Sequence, residues 1–284
     1  MENTIDKNYK TAILLATYNG ELYLKEQLES LFNQTYKNWT LYIHDDGSKD
    51  NTINIIKSYQ QQHKNIKLFD YPATGGAKNN FFSLLQRVDA DYYFFCDQDD
   101  VWRKDKIEIL LNEMIKLEHQ FKKAPIAVYS DLKIVDKDLQ TINKSFYAYT
   151  NIHPEFLQTF NELGAANICP GCSMLINKNA KKVVSFHAEK ATMHDAWIIL
   201  CIAKAKGIIR QVKLQLVYYR QHENNSLGAV NAKDLKAINK FRHLNKVIKD
   251  NLATFRMLET LNYGSFLKFI YYKYKYKRKL REIK

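Results

Sequence analysis

The chain has 284 residues, 46% of them hydrophobic and 13% aromatic, which is enough to bury the core of one large α/β domain with an appendage and excludes a disordered chain. Its formal charge is +13 but unevenly placed: residues 231–284 hold 15 Lys/Arg against 4 Asp/Glu, whereas the first 230 residues hold 28 against 26. No apolar run reaches the roughly 18 residues of a membrane span, the N-terminus has no apolar signal segment, and four cysteines make no disulfide framework, so a cytoplasmic address is expected.

Thr11-Ala-Ile-Leu-Leu-Ala16 is a short apolar strand, after which Leu22, Leu24, Leu28, Leu31 and Phe32 recur near helical spacing. Trp39 to Ile43 reads as a second strand, and Ile53, Ile55, Ile56 and Tyr59 as a second helix. Ile66 to Phe69 is a third strand, Phe81 to Val88 a helix, Tyr92-Tyr-Phe-Phe-Cys96 a buried strand and Ile107 to Leu117 a helix. This alternation predicts an α/β fold with a mostly parallel, Rossmann-like central sheet flanked by helices. Farther on, Ile126 to Ser130 and Met174 to Ile176 look like strands, Asp195 to Ala205 a helix, and Ile208 to Tyr219 extended; from about Lys233 the pattern is helical. A boundary near residue 230 would separate a domain of residues 1–230 from a helical, basic extension of residues 231–284. The run Lys268-Phe-Ile-Tyr-Tyr-Lys-Tyr-Lys-Tyr-Lys-Arg-Lys279 sets rings between cations, which suits a membrane interface with anionic lipid. Nucleic-acid binding or a plain solvated helix are the other readings of that composition. The near-neutral body and its acidic strand ends argue against nucleic acid as a partner.

Ligands of such sheets sit beyond the carboxyl ends of the strands, and there the sequence turns polar each time. The segments are Thr17-Tyr-Asn-Gly20, His44-Asp-Asp-Gly-Ser48, Ala73-Thr-Gly-Gly-Ala-Lys78 and Asp97-Gln-Asp-Asp100. No Gly-x-Gly-x-x-Gly and no Walker loop is present to hold phosphates. Carboxylates holding a metal are the natural substitute, and the three acids in Asp97-Gln-Asp-Asp100 would repel one another without a cation; hard oxygens suit Mg2+ or Mn2+. The same acids could instead cap a helix beginning near Arg103. Asp46 can accept the imide N–H of a pyrimidine and Tyr18 can stack on the base, or both serve only loop geometry and packing. Asp195 opens a helix, where a carboxylate either answers the helix dipole or acts as a general base. In Tyr218-Tyr-Arg-Gln-His222, His222 is a possible metal ligand and Arg220 a possible diphosphate contact, against a plain surface loop. Cys169-Pro-Gly-Cys172 lacks a second ligand pair for zinc and precedes a strand, so it reads as structural.

Taken together, Ala16-Thr-Tyr-Asn19, Asp45-Asp-Gly-Ser48, Asp97-Gln-Asp-Asp-Val-Trp102, His194-Asp-Ala-Trp197 and Tyr219-Arg-Gln-His222 resemble the inverting family 2 glycosyltransferases of GT-A fold, and within them bacterial rhamnosyltransferase-like enzymes. The resemblance covers about residues 10 to 230. It implies that Thr17, Tyr18 and Asp46 line a nucleoside pocket and that Lys78 contacts the nucleotide. It further implies that Asp99 holds a metal with Asp97 sharing metal or ribose, that Asp195 is the catalytic base, and that His222 lies near metal and diphosphate. The implied partners are a nucleoside-diphosphate sugar, dTDP-L-rhamnose before a UDP-hexose, and a glycan acceptor; the basic aromatic tail, by its charge, fits an acceptor built on a polyprenyl diphosphate at the inner membrane face. Two positions depart from the pattern: Ala196 stands where an aromatic or acidic residue is frequent, and Gly171-Cys172 alone represents a glycine-rich acceptor element.

Overall fold

A computed structural model describes residues 9–223, 229 and 240–283. The boundary expected near residue 230 and the start of the helical tail fall outside these residues. The first half alternates β1 (Thr11–Thr17), α1 (Leu24–Phe32), β2 (Trp39–Asp45), α2 (Thr52–Gln62), β3 (Ile66–Phe69), α3 (Ala77–Arg87) and β4 (Tyr92–Asp97). Then come β5 (Val101–Trp102), α4 (Lys106–Gln120), β6 (Ile126–Val135), β7 (Thr141–Asn143) and the short helices α5 (Phe146–Thr150) and α6 (Phe160–Leu163). A 3-10 turn at Gly171–Ser173 leads into β8 (Met174–Asn177), α7 (Lys178–Val183), α8 (His194–Lys204) and β9 (Ile208–Arg220). Helices α9 (Lys240–Thr260) and α10 (Phe266–Glu282) follow.

One sheet runs in the order β3-β2-β1-β4-β8-β6-β9-β5, with β7 on β6. The pairs β3-β2, β2-β1 and β1-β4 are parallel, as the alternation predicts. Beyond β4 the sheet is mixed: β8 is antiparallel to both β4 and β6, while β9 is parallel to β6. Strands buried on both faces read as unbroken apolar runs because each face takes every second residue. Thus Ala12, Leu14, Tyr93 and Phe95 enter one core, and Ile13, Leu15, Phe94 and Cys96 enter the other. Leu24, Leu28 and Leu31 of α1 join the second core, whereas Leu22 is 70% exposed and precedes the helix. The first core also takes Met257, Leu258, Leu261, Tyr263 and Phe269, so α9 and α10 pack on the body of the protein. No helix among the described residues is long and apolar enough to cross a membrane.

Candidate active site

The parallel half of the sheet delivers the carboxyl ends of β1, β2 and β4 to one rim. A cleft of about 520 Å³ opens there, closed on the far side by the Gly171 turn and the first residues of α8. Of the nine residues the sequence singles out, Thr17, Tyr18, Asp46, Asp97, Asp99 and Asp195 line it; Lys78, Arg220 and His222 do not.

At one end, Asp45 closes its own turn, accepting hydrogen bonds from Thr17 Oγ1 at 2.9 Å and Ser48 N at 2.7 Å. Asp46 reaches the loop before α3 and accepts from the Thr74 hydroxyl at 2.9 Å and from the backbone N–H groups of Thr74, Gly75 and Gly76. Those glycines have φ of +83° and +111°, left-handed values that turn successive N–H groups onto one carboxylate. Burial alone would raise the Asp46 pKa, but the bonds from Thr74, Gly76 and Gly75 outweigh it and hold it below its ordinary value. The Tyr18 side chain is 55% exposed. Its backbone is fixed by Gln98, whose Oε1 accepts from Tyr18 N–H and whose Nε2 donates to Tyr18 O, both at 2.9 Å. This amide clamp joins the ends of β1 and β4.

The acidic end is built from β4 and the turn after it. Ligand atoms of Asp97, Asp100 and Cys172 lie within 4.8 Å of one another. Asp100 is fully buried; its Oδ1 accepts from Arg220 N at 3.1 Å, and its Oδ2 has no hydrogen-bond partner among the described residues. Burial, then the charges of Asp99 and Asp195, push the Asp97 pKa up to about 7. Burial and the neighbouring Asp99 and Asp97 raise Asp100 well above the usual carboxylate range. Buried acids that repel one another, with only the weak Cys172 thiol to face the second Asp100 oxygen, fit a hard divalent cation, which would remove the repulsion. The Cys172 thiol fits it poorly, since it is soft and burial raises its pKa. Both Cys169 and Cys172 are free and buried. Asp99 Oδ2 meets His222 Nε2 at 2.8 Å, so the late histidine reaches the cluster through Asp99.

Two residues expected on the nucleotide face elsewhere. Lys78 Nζ donates to the carbonyls of Ala191 at 3.1 Å and Glu189 at 3.4 Å, bracing the segment before α8. Arg220 is 1% exposed; its guanidinium donates to Asp99 O at 2.7 Å and to Lys137 O, pairs with Glu26, and lies 4.5 Å from the Tyr23 ring. These protein oxygens take up the guanidinium, so in this structure Arg220 supports the turn that presents the acids, where the sequence suggested a diphosphate contact. Sequence reasoning also missed Lys106, fully buried on α4. Its Nζ donates to Cys172 O at 2.5 Å and sits 3.1 Å from the Trp102 ring centroid. Burial lowers its pKa to about 7 against the pull of the surrounding acids and thiols. Only burial distinguishes it from a surface lysine, and no local pattern announces that.

Asp195 stands in the first turn of α8, 8% exposed. Its Oδ2 accepts from Gly171 N at 3.0 Å and its Oδ1 from Ala196 N at 2.6 Å. Burial prevails over these bonds and pushes its pKa up to about 6. A carboxylate so held is ionised at neutral pH yet ready to take a proton.

The cleft at the parallel strand ends thus gathers carboxylates that fit a divalent cation, a buried carboxylate ready to take a proton and an exposed aromatic ring, where ligands of such sheets bind. The glycosyl transferase family 2 model matches residues 12–184, and the chain belongs to that family. It is 32% identical over 231 residues to the dTDP-rhamnosyl transferase RfbG of Shigella flexneri, covering 76% of this chain and 74% of that one. Among solved structures it is similar to S. aureus TarS 1-349 in complex with UDP-GlcNAc, with TM-score 0.56 and 18% identity over 76% of this chain and 60% of TarS 1-349. It is also similar to the mannosyltransferase PcManGT of Pyrobaculum calidifontis in complex with GDP-Man and Mn2+, with TM-score 0.56 and 15% identity over 98% and 76% of the two chains. The fold is GT-A.

Proposed function

We propose that this glycosyltransferase is inverting and metal-dependent, and that it moves a sugar from a nucleoside diphosphate onto a glycan acceptor in bacterial surface-polysaccharide synthesis. The observation that carries the reading is one cleft lined by both the Asp195 carboxylate, raised toward neutrality, and the acids Asp97 and Asp99, with Asp100 buried behind them. Asp195 takes the proton of the acceptor hydroxyl as that oxygen attacks the anomeric carbon. The bond from that carbon to the diphosphate breaks, the diphosphate leaves with the electron pair, and one displacement inverts the centre. Mg2+ or Mn2+, held by Asp97, Asp99 and Asp100, would supply positive charge against the leaving diphosphate. His222 would orient Asp99, while Thr17, Tyr18 and Asp46 would shape the nucleoside end, with the exposed Tyr18 ring free to stack on a base.

The favoured donor is dTDP-L-rhamnose, supported by the likeness to RfbG. A UDP-hexose is the second reading, supported by the UDP-GlcNAc bound in TarS. The acceptor reading is a polyprenyl-diphosphate-linked glycan at the inner face of the cytoplasmic membrane, approached through the basic α10. The test is nucleoside diphosphate release from dTDP-rhamnose, UDP-glucose, UDP-galactose and UDP-GlcNAc with Mn2+ or Mg2+. Release from one donor that EDTA abolishes is expected. Equal release in EDTA would remove the metal, and failure to bind either dTDP or UDP by calorimetry would remove the donor class.

A further inference from the structure

His194 precedes the proposed base and lines the same cleft. The side chain is 3% exposed, and neither Nδ1 nor Nε2 has a hydrogen-bond partner among the described residues. Its ring lies 4.2 Å from the Phe81 ring and 5.4 Å from the Phe95 ring, centroid to centroid. A ring wanted only for packing would be phenylalanine here, because a buried unpaired polar group costs about 1–3 kcal/mol. The edge with Nε2 and Cε1 lies against Gly171 of the cleft wall, where a Cβ would come within 2.6 Å of Nε2. Gly171 therefore leaves this edge the space it has. The ring and the Asp195 carboxylate both meet Gly171, and Phe95, against which the ring packs, shares a face of the sheet with Asp97 two residues on, so the ring lies on the side of the cleft that Asp97 and Asp195 line. A sugar joined to a diphosphate and facing the base must occupy that ground. Burial holds the imidazole neutral, with its pKa near 3, so it offers one N–H donor and one acceptor nitrogen. That pair matches a hydroxyl group, and the nearby wall of Phe81, Pro170 and Met193 is apolar.

We propose that His194 binds the donor sugar, exchanging hydrogen bonds between its neutral ring and a sugar hydroxyl, and so helps decide which sugar the cleft accepts. The inference rests on the nucleotide-sugar reading above. The experiment compares calorimetric binding of dTDP with dTDP-rhamnose, and of UDP with UDP-glucose, in the wild type and in His194→Phe, with Mn2+ present. In the pair that the wild type binds, His194→Phe should leave the free diphosphate within about twofold and weaken the sugar nucleotide about 10- to 100-fold. Its Tm should be unchanged or higher, since an unpaired polar ring is gone. His194→Asn, which keeps a donor and an acceptor, should recover part of the affinity. If His194→Phe unfolds or its larger ring blocks the cleft to both ligands, His194→Leu takes its place in the same comparison. Wild-type affinity for the sugar nucleotide in the folded apolar variant overturns the proposal. Wild-type protein that binds neither dTDP nor UDP overturns the nucleotide-sugar reading itself.

Discussion

Asp195 carries opposite consequences for activity and stability. As a base it must be ionised, so turnover should rise with pH through about 6 and level off above, a single-proton limb read from kcat against pH. Asp195→Asn should lower turnover about 10²- to 10⁴-fold with nucleotide binding retained; near-wild-type turnover would remove Asp195 from the role. Stability runs the other way. The folded carboxyl titrates near 6 and the unfolded one near its ordinary 3.8, so between those values the folded state holds more protons. Stability therefore falls as pH rises through that window, by an amount on the order of 2–3 kcal/mol for this one group. Asp195→Asn should accordingly melt higher than the wild type at pH 7, and the gap should close as pH falls toward 4. A variant that is both less active and less stable at pH 7 would mean that the carboxylate is held for structure.

At the scale of elements, the end of β9 supports the turn after β4. Arg220 satisfies the Asp99 and Lys137 carbonyls through its guanidinium and Asp100 through its backbone N–H. Its Glu26 partner is half exposed, so the ion pair itself is worth little and the buried carbonyls decide the cost. Arg220→Met should destabilise by about 2–3 kcal/mol in denaturant midpoints and weaken Mn2+ binding. Arg220→Lys should not rescue either, because an ammonium cannot span the planar fork. Unchanged Mn2+ affinity in Arg220→Met would separate the buttress from the metal site. Nothing near Tyr219-Arg-Gln-His222 in sequence reveals that Glu26 lies 194 positions away, which is why that motif suggested a diphosphate contact. Elements of the parallel half were legible because strands buried on both faces and helices with one buried stripe announce themselves locally. Two-residue β5 and three-residue β7 exist only through their partners, β9 and β6, and α5 and α6 are too short to show a period. The carboxylates were legible because they follow strands, whereas Gln98 and Lys106 owe their roles to contacts 80 and 66 residues away.

Over the whole molecule, the excess charge rests on helices that are packed on the body. Deleting residues 263–284 would test membrane attachment badly, because it strips Tyr263 and Phe269, 1% and 0% exposed, from the core. The outward face of α10 can be altered alone. Leu267, Tyr271, Tyr274, Arg278 and Arg281 follow one another at intervals of four, three, four and three, a single helical stripe, and all are exposed. The stripe passes from aliphatic through aromatic to cationic, and Ile270 and Lys277 flank it, also exposed. Such a face can lay apolar groups among acyl chains, keep rings at the headgroups and hold cations over anionic lipid. Leu267→Glu with Tyr274→Glu and Arg278→Glu should therefore abolish co-sedimentation with vesicles rich in anionic phospholipid. The melting temperature and donor hydrolysis should be untouched, since none of the three lies in the core or the cleft. Each basic contact contributes about 1 kcal/mol, so reversing one charge and adding two more should lower binding at least a hundredfold. Wild-type binding should weaken as salt rises and should be slight on neutral vesicles. Equal co-sedimentation of the triple variant with anionic vesicles would detach the charge of α10 from the membrane and leave it a solvated face.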